Sequence, residues 1–277
     1  MKKLWLALWV CAALLPRADA LSAAAAVTMD ADTGETLFAE NADSRLPMAS
    51  TTKIMTALVA LGEGGLDRVY TVKKQYAAVE GSSMYLEEGE RLTLRDTLYG
   101  LLLSSGNDAA AAVAGECGGE RAFVDKMNAK ARELGLTDTR FENPSGLPSD
   151  GHYTTARELA KITAAALRDP VFRDIVSTKT CTAAGRTLVN HNRLLSLYED
   201  AIGVKTGFTR AAGRCLVSAA ERNGRTVIAV TLNDPDDWND HIALLDDAFS
   251  RYSEVTLHEK GDTLAQTQVF GGETDRA

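Results

Sequence analysis

The alternation of apolar and polar residues divides the chain into a strand-rich beginning, a helical middle and a strand-rich end. Residues 26–40 alternate on both sides of a turn-rich segment at 30–34, which predicts a β-hairpin. Residues 204–209, 215–220 and 226–232 are rich in strand-forming residues, and an Asn-Gly dipeptide typical of tight hairpins joins the last two. We therefore expect an α+β fold in which both chain ends build one antiparallel sheet flanked by helices, with a helical insertion between them.

Helical periodicity dominates the middle of the chain, where apolar residues return every three or four positions. The pattern predicts a helix that begins after Pro47, and further helices over 93–103, 109–115, 121–134, 154–167 and 237–252. Thr93 and Asp96 form a capping-box pattern at one of these starts. Two of the helices meet at the polar residues 104–108, an odd junction unless those residues are used.

The first twenty residues have the pattern of an export signal. A basic pair at 2–3 precedes an apolar run at 4–15 that is short for a membrane span, and residues 18–20 read Ala-Asp-Ala, a small-x-small cleavage site. We predict a secretory signal peptide over 1–20, cleaved after Ala20, with a retained N-terminal anchor as the alternative. The mature protein is then expected outside the cytoplasmic membrane, in the cell wall, in the periplasm or at the outer face of the cytoplasmic membrane.

Composition excludes two classes of protein. The net charge of −8 at pH 7, without a stripe of Lys and Arg, argues against nucleic-acid binding. With four histidines and no H-E-x-x-H pattern, we expect no metal site. One of the four cysteines lies in the predicted signal peptide, and Cys117, Cys181 and Cys215 remain. We interpret these three as mostly buried apolar residues, with one disulfide among them left open.

The predicted helix after Pro47 carries a serine and a lysine three residues apart, Ser50 and Lys53. That spacing places both side chains on one face of a helix. A serine hydroxyl becomes a nucleophile when a neighbouring base takes its proton, and lysine can be that base if burial or other cations lower its pKa. The free N–H groups of a helix start can also bind an oxyanion. The alternative is structural, with Ser50 as a helix cap and Lys53 in solvent.

Two further motifs follow in order, Ser105-Gly106-Asn107 and Lys205-Thr206-Gly207. Each has a structural interpretation, the first as a turn between helices and the second as an edge strand protected by its lysine. Together with Ser50-x-x-Lys53, however, they match the motif triple of class A β-lactamases and penicillin-binding proteins, apart from a Gly in place of Asp in the second motif.

These motifs and their surroundings resemble the D-alanyl-D-alanine carboxypeptidases, low-molecular-mass penicillin-binding proteins of serine peptidase type. The resemblance spans roughly 24–251 and rests on residues 47–58, 105–108, 143–147, 151–153, 190–192, 203–209 and 212–213. It implies a β-lactamase/transpeptidase-like fold and removal of the terminal D-alanine from peptidoglycan stem pentapeptides through an acyl-enzyme. It also implies that β-lactam antibiotics are covalent inhibitors and that no cofactor is needed.

The resemblance implies a catalytic role for three residues. Ser50 would attack the carbonyl carbon of the penultimate D-alanine and form the acyl-enzyme. Lys53 would take the Ser50 proton as general base, and Ser105 would relay a proton to the leaving D-alanine amine. Water would then hydrolyse the acyl-enzyme.

Substrate binding would fall to the other motif residues. Asn107 would hydrogen-bond the substrate's peptide group and help hold the general base. Lys205 would attract the terminal carboxylate and keep that base deprotonated by like-charge repulsion, while Thr206 would hydrogen-bond the carboxylate. Gly207 completes the motif, and the backbone N–H of Phe208 would form the oxyanion hole together with that of the nucleophile.

Three features border this predicted site. Residues 82–84 match a loop beside the active site in the family, and they either touch substrate or form an ordinary loop. We interpret His152 as structural because nothing in the sequence pairs with it. The family often places a basic residue near the substrate carboxylate. Here His191 and Arg210 are close in sequence to the motifs, and how the carboxylate is clamped besides Thr206 stays open.

The domain prediction has three parts: the signal peptide over 1–20, the peptidase domain over 21–252, and a partial C-terminal β-rich domain or tail over 253–277 with one hairpin pattern. Typical members of the family continue with a full β-rich domain and an amphipathic membrane helix. The chain is therefore expected to be a short or truncated form that does not itself encode peripheral membrane association.

Two other functions fit parts of the pattern. A serine β-lactamase shares the fold and the motif triple, but the residues around Glu142 and Glu158 do not reproduce the class A spacing of a deacylating Glu with an Asn four residues on. A non-catalytic peptidoglycan-binding module is disfavoured by the complete set of motif residues. Turnover of a chromogenic cephalosporin and labelling by a fluorescent penicillin separate the three functions.

Overall fold

The computed structural model describes residues 21–252, and its centre is a five-stranded antiparallel sheet. Its strands are β1 (Ala25–Asp30), β2 (Thr36–Glu40), β7 (Ala201–Thr209), β8 (Gly213–Arg222) and β9 (Arg225–Leu232), numbered in chain order. The order across the sheet is β2-β1-β9-β8-β7, so the beginning and the end of the described chain pair with each other. The expected sheet built from both chain ends is thus confirmed.

Two small two-stranded antiparallel sheets and nine α-helices complete the described residues 21–252. One sheet pairs β3 (Val69–Thr71) with β4 (Arg91–Thr93), and the other is a hairpin of β5 (Thr180–Ala183) and β6 (Arg186–Val189). A 3₁₀ turn at Ala49–Thr52 precedes the first helix. The helices are α1 (Lys53–Glu63), α2 (Lys74–Ala77), α3 (Leu94–Leu102), α4 (Asn107–Glu116), α5 (Glu120–Glu133), α6 (Ala156–Leu167), α7 (Pro170–Ser177), α8 (Leu194–Leu197) and α9 (Asp237–Arg251).

The central strands are buried on both faces because helices cover the sheet on each side. On β8, Val217 and Ala219 join the main core, which includes α6, whereas Leu216 and Ala220 join a second core under α9. This is the period of two that a strand imposes on its side chains. With both faces buried, β8 and β9 form a fixed frame for the strand that follows them across the sheet, β7.

Local signals account for most element boundaries. Thr93 and Asp96 form both halves of the predicted capping box at the start of α3. The hairpin turn between β8 and β9 uses Asn223 and Gly224, both with positive φ, as its type requires. The sequence analysis missed α7, although Asp169 caps it ahead of a proline, and it missed the β5–β6 hairpin.

Two predictions lie outside the described residues: the signal peptide over 1–20 and the hairpin within 253–277. Among the helices of residues 21–252, none combines the length and hydrophobicity that a bilayer-spanning segment needs. Cys117 and Cys215 are buried and Cys181 is partly buried, and all three are free thiols. The interpretation of these cysteines as mostly buried apolar residues is confirmed.

Candidate active site

A cleft of about 290 Å³ opens where the 3₁₀ turn meets β7. From the predicted site, the lining residues are Ser50, Ser105, Thr206, Gly207 and Phe208. The cleft is completed by Ser82, His191, Arg214, Asp237 and Trp238. All three sequence motifs, which are distant along the chain, therefore contribute to one cavity.

Ser50 lies in a tight turn against which two other backbone segments pack closely. Each of these segments has a glycine at the point of contact. The preceding Ala49 has φ +47°, a left-handed conformation that is rare for a residue with a side chain. A Cβ on Gly146 would lie 1.8 Å from the Ala49 carbonyl oxygen, and a Cβ on Gly207 would lie 3.1 Å from the backbone nitrogens of Ser50 and Thr51. The turn is thus fixed from both sides by direct backbone packing.

Lys53 is fully buried at the start of α1, and its amine meets three oxygen atoms. Its Nζ lies 2.9 Å from Ser50 Oγ, 2.8 Å from Asn107 Oδ1 and 2.7 Å from the Ser145 carbonyl oxygen. A neutral amine has two N–H groups and one lone pair. With its hydrogens on Asn107 and Ser145, neutral Lys53 turns that lone pair toward the Ser50 hydroxyl, which can then donate its proton. Nothing in the sequence indicated the contact with Ser145.

The surroundings of Lys53 favour its neutral form. Burial lowers the pKa of Lys53 well below its ordinary value, the charge of Lys205 lowers this pKa further, and the negative charge of Asp108 opposes the shift. Both causes that the sequence suggested, desolvation and Lys205, are therefore present, and desolvation is the larger.

Lys205 lies inside β7 and not in the cleft wall. Its side chain is 1% exposed, and Nζ donates to the Thr206 carbonyl oxygen at 2.8 Å. Burial lowers the pKa of Lys205 to about 7, so near neutral pH both of its protonation states are populated. Lys205 can therefore attract a substrate carboxylate through its electric field across β7 but does not contact it. Thr206 faces the cleft and is placed to contact the carboxylate.

The second motif places its two polar side chains in different positions. Ser105 has φ +60° and lines the cleft. Asn107, at the start of α4, does not line it. Its Oδ1 accepts from Lys53, as above, and its Nδ2 donates to the Glu80 carbonyl oxygen at 2.7 Å. Of residues 82–84, Ser82 alone lines the cleft.

The sequence analysis missed a guanidinium in the cleft, that of Arg214 on β8. One of its terminal nitrogens donates to both carboxylate oxygens of Asp237, at 2.7 and 2.8 Å. The guanidinium carbon lies 5.6 Å from the centre of the Trp238 ring, and Nε is buried without a partner among the described residues. The pairing of β7 with β8 sets Arg214 opposite Phe208, a register that the sequence alone did not reveal.

Of the other basic residues singled out in the sequence, one lines the cleft and two do not. His191 lines the cleft, and burial together with Lys205 lowers its pKa, which favours the neutral ring. Arg210 is exposed and does not line the cleft. His152 is buried beneath the 3₁₀ turn that carries Ser50, with Nε2 2.8 Å from Thr52 Oγ1. Burial lowers its pKa to about 4, so His152 is a neutral packing residue, in line with its structural interpretation.

Among residues 21–252, no cluster of His, Cys, Asp or Glu has the arrangement of a metal site. The cleft itself presents three groups suited to chemistry: a hydroxyl in contact with a buried amine, a second hydroxyl, and a guanidinium.

Comparison with known proteins identifies close relatives. A family model described as D-alanyl-D-alanine carboxypeptidase matches residues 13–236. The D-alanyl-D-alanine carboxypeptidase DacF of Bacillus subtilis is 38% identical over 265 residues, which cover 90% of this chain and 68% of that protein. The D-alanyl-D-alanine carboxypeptidase of Streptomyces sp. strain K15 is 40% identical over 235 residues, covering 76% of this chain and 81% of that protein.

Solved structures show the same fold. A mutant of the Streptomyces K15 DD-transpeptidase superposes with a TM-score of 0.81 at 38% identity, covering 84% of this chain and 100% of that one. An evolved penicillin-binding protein homologue from Mycobacterium tuberculosis gives a TM-score of 0.82 at 34% identity, covering 89% and 98%. The fold expected from the resemblance is thereby confirmed.

Proposed function

The chain belongs to the D-alanyl-D-alanine carboxypeptidase family, and on that premise we propose that its cleft removes the terminal D-alanine of peptidoglycan stem pentapeptides through an acyl-enzyme on Ser50. The chain is accordingly a peptidase of the hydrolase class and of penicillin-binding type. The observation that carries the proposed mechanism is the 2.9 Å contact between Ser50 Oγ and the buried amine of Lys53.

In the proposed acylation step, neutral Lys53 takes the Ser50 proton while Oγ attacks the carbonyl carbon of the penultimate D-alanine. Negative charge develops on the carbonyl oxygen, which accepts hydrogen bonds from the backbone N–H groups of Ser50 and Phe208. Ser105 relays the proton now held by Lys53 to the departing amine, which returns Lys53 to its neutral form, because an amine leaves far more readily as a neutral molecule than as an anion. Water then attacks the ester and frees Ser50.

The terminal carboxylate of the substrate needs a partner in the cleft wall, since Lys205 is buried. We assign this contact to Thr206 and to the guanidinium of Arg214, with Asp237 holding that guanidinium in place. A charge-assisted hydrogen bond from arginine to a carboxylate is among the stronger polar contacts in proteins. Asn107 holds Lys53 and is proposed to hydrogen-bond the substrate's peptide group.

The proposed place of action is outside the cytoplasmic membrane, on cell-wall peptidoglycan. The substrate class of the family and the predicted signal peptide over 1–20 support it. β-Lactams are the proposed covalent inhibitors, because they present an acylating carbonyl to the same serine.

The proposed nucleophile is tested by mass spectrometry of the penicillin-treated protein. We expect one covalent adduct, on Ser50. Ser50→Ala is expected to lose both the adduct and D-alanine release while its melting temperature stays near that of the wild type, because a cleft hydroxyl adds little stability. An adduct on another residue, or near wild-type D-alanine release by the variant, would refute the assignment.

The serine β-lactamase remains the alternative from the motif triple, and the surroundings of the two glutamates argue against it. The Glu142 carboxylate accepts from Ser149 and from the backbone N–H of Gly151 at 3.2 Å. The Glu158 carboxylate accepts from the backbone N–H of Thr137 at 2.8 Å. Both carboxylates are thus held by structural contacts. Rapid, complete turnover of a chromogenic cephalosporin would favour the β-lactamase, and stable acylation favours the peptidase.

A second candidate is transpeptidation, because the K15 relative is described as a DD-transpeptidase in its crystal structures. The acyl-enzyme is common to both reactions, and only the acceptor differs, an amine in place of water. Supplying glycylglycine with a pentapeptide measures the partition. A dominant hydrolysis product supports the carboxypeptidase, and a dominant amide product supports the transpeptidase.

A further inference from the structure

The carboxylate of Asp108 has no part in the proposed reaction, yet it is 1% exposed in the first turn of α4. Four donors converge on it. Oδ1 accepts from the backbone N–H groups of Met84 at 3.0 Å and Ala109 at 2.8 Å. Oδ2 accepts from Ser83 Oγ at 2.6 Å and from the N–H of Leu86 at 3.0 Å. Three of these donors belong to one segment, residues 83–86.

That segment borders the cleft, because the residue before it, Ser82, is part of the cleft wall. Asn107 holds the same stretch one residue away from Asp108. The backbone N–H of Asn107 donates to the Ser82 carbonyl oxygen at 2.7 Å, and its Nδ2 donates to the Glu80 carbonyl oxygen at 2.7 Å. Residues 80–86 therefore wrap around the first turn of α4, and three donors of this segment form hydrogen bonds to the Asp108 carboxylate.

Gly106 leaves the space that this contact needs. A Cβ at position 106 would lie 2.6 Å from Asp108 Oδ1 and 3.1 Å from the backbone nitrogen of Met84. Any side chain between Ser105 and Asn107 would strike the carboxylate and one of its donors. The glycine in the second motif and the buried aspartate thus belong to one packing arrangement.

The same carboxylate is held close to the proposed general base, because the residue before it, Asn107, accepts from Lys53 Nζ at 2.8 Å and both Lys53 and Asp108 are buried. Its charge raises the pKa of Lys53, against Lys205 on β7, which lowers it. On its other side Asp108 faces the ion pair of Glu90 and Arg186, and Arg186 also donates to the Tyr85 carbonyl oxygen at 2.6 Å. Removing the charge of Asp108 would leave Lys205 unopposed at the base.

We propose that Asp108 is a positioning residue with two effects, fixing residues 83–86 at the edge of the cleft and supplying the negative charge that balances Lys205 at Lys53. The second effect rests on the proposed function, whereas the first stands on the hydrogen bonds alone. Asp108 touches neither the nucleophile nor the cleft, so both effects act through other residues.

Asp108→Asn removes the charge while nearly keeping the shape, and Ser83→Ala and Gly106→Ala are matched variants that disturb the same contact with the charge in place. Two quantities are measured for each: the second-order rate of acylation by a fluorescent penicillin from pH 5 to pH 10, and hydrogen exchange at the amides of Met84 and Leu86. The KM for a pentapeptide is the third readout.

Asp108→Asn is expected to move the acidic limb of the acylation profile to lower pH by about one unit, because the protonated form of Lys53 loses a counter-charge. In Ser83→Ala and Gly106→Ala, the acidic limb of the acylation profile is expected at the same pH as in the wild type, because the charge of Asp108 is retained. All three variants are expected to raise KM several-fold, and Asp108→Asn and Gly106→Ala to speed exchange at both amides.

An unmoved limb in a folded Asp108→Asn protein, or wild-type exchange at Met84 and Leu86, overturns the proposal. If Asp108→Asn does not fold, unchanged exchange and KM in Gly106→Ala overturn it. A wild-type protein that no penicillin acylates refutes the proposed function instead, and the exchange measurement then still decides whether Asp108 fixes the segment.

Discussion

The two walls of the cleft differ in how far their charged and polar groups are exposed to solvent. The helical wall, which we define as Ser105 together with the residues buried behind it, Lys53, Asn107 and Asp108, keeps its side chains at most 5% exposed. The three residues behind Ser105 are hydrogen-bonded to protein partners. The sheet wall, Thr206 to Phe208 with Arg214 and Trp238, presents a guanidinium and an aromatic ring to the solvent side, with Phe208 66% exposed. Proton transfer needs a dry, fixed geometry, whereas recognition needs accessible groups. Changes in the helical wall should therefore slow acylation by every ligand, and changes in the sheet wall should depend on the ligand.

The largest effect is expected in the helical wall, from Lys53→Arg. Arginine keeps the positive charge but does not deprotonate in proteins, so it cannot accept the Ser50 proton. Acylation by penicillin should fall about 10²–10⁴-fold, the usual contribution of a general base, with and without a ligand carboxylate. Lys161→Arg, at an exposed lysine of α6, is the control and should match the wild type. A tenfold or smaller loss in Lys53→Arg would remove the lysine from its assigned role.

A buried cation, Lys205, lies behind the sheet wall. Its effect on the pH dependence of stability tests whether the difference between the walls extends to the residues beneath them. In the unfolded chain its pKa is ~10.4, and in the folded protein it is about 7. The folded state thus binds fewer protons than the unfolded state between these values, and stability rises with pH across that window.

Lys205→Met is therefore expected to be more stable than the wild type below pH 7, by on the order of a few kcal/mol, while losing activity. The gain should shrink as the pH rises from 7 and vanish near ~10.4. Urea unfolding at pH 6.5 and pH 10 measures it. A variant less stable than the wild type at pH 6.5 would mean that the buried charge is stabilised by its surroundings.

Arg214 should show the ligand dependence of the sheet wall. Arg214→Leu is expected to lower kcat/KM for a peptide ending in D-Ala-D-Ala about 10–100-fold, the value of a charge-assisted hydrogen bond. Against the same peptide with a C-terminal amide, the loss should be at most about twofold. Arg193→Leu is the matched control, because Arg193 also lies over the Trp238 ring, at 6.0 Å, but not in the cleft. Equal losses with both peptides would show that Arg214 does not bind the carboxylate.

The smallest effect is expected from Phe208→Ala. The ring is largely exposed, and the backbone N–H assigned to the oxyanion hole is retained. We expect a few-fold rise in KM for a pentapeptide, an unchanged kcat, and a change in unfolding free energy within about 0.5 kcal/mol. A large drop in kcat with unchanged KM would mean that the side chain shapes the transition state, which would contradict the division between the walls.

The sequence predicted the motif residues of both walls, with Thr206 to Phe208 of the sheet wall among them, but not Arg214 or Trp238, for physical reasons. Ser50, Lys53, Ser105 and Asn107 lie in short local motifs whose spacing on a helix or turn already limits where the side chains go. The sheet itself followed from alternation at both chain ends. The pairing of Arg214 with Asp237, in contrast, depends on strand register and on how α9 packs against β8, and neither is local.

The unforeseen contacts of the base have a similar cause. The carbonyl oxygen of Ser145 reaches Lys53 through a turn some ninety residues away, which Asn143 holds by accepting from the N–H of Gly146 at 2.7 Å. A backbone carbonyl leaves no mark in residue identity. Asp108 was noted beside the second motif but was given no role, because its role depends on the path of residues 80–86 around α4.

In the proposed mechanism, burial and Lys205 hold Lys53 neutral so that it can act as the base. The pH dependence of the second-order rate at which a penicillin acylates the wild-type protein tests this. We expect a rate that rises from acid pH and levels off well below pH ~10.4, the pKa of an ordinary lysine. A rate that keeps rising to pH ~10 would show that Lys53 is protonated at neutral pH and that the Ser50 proton goes elsewhere.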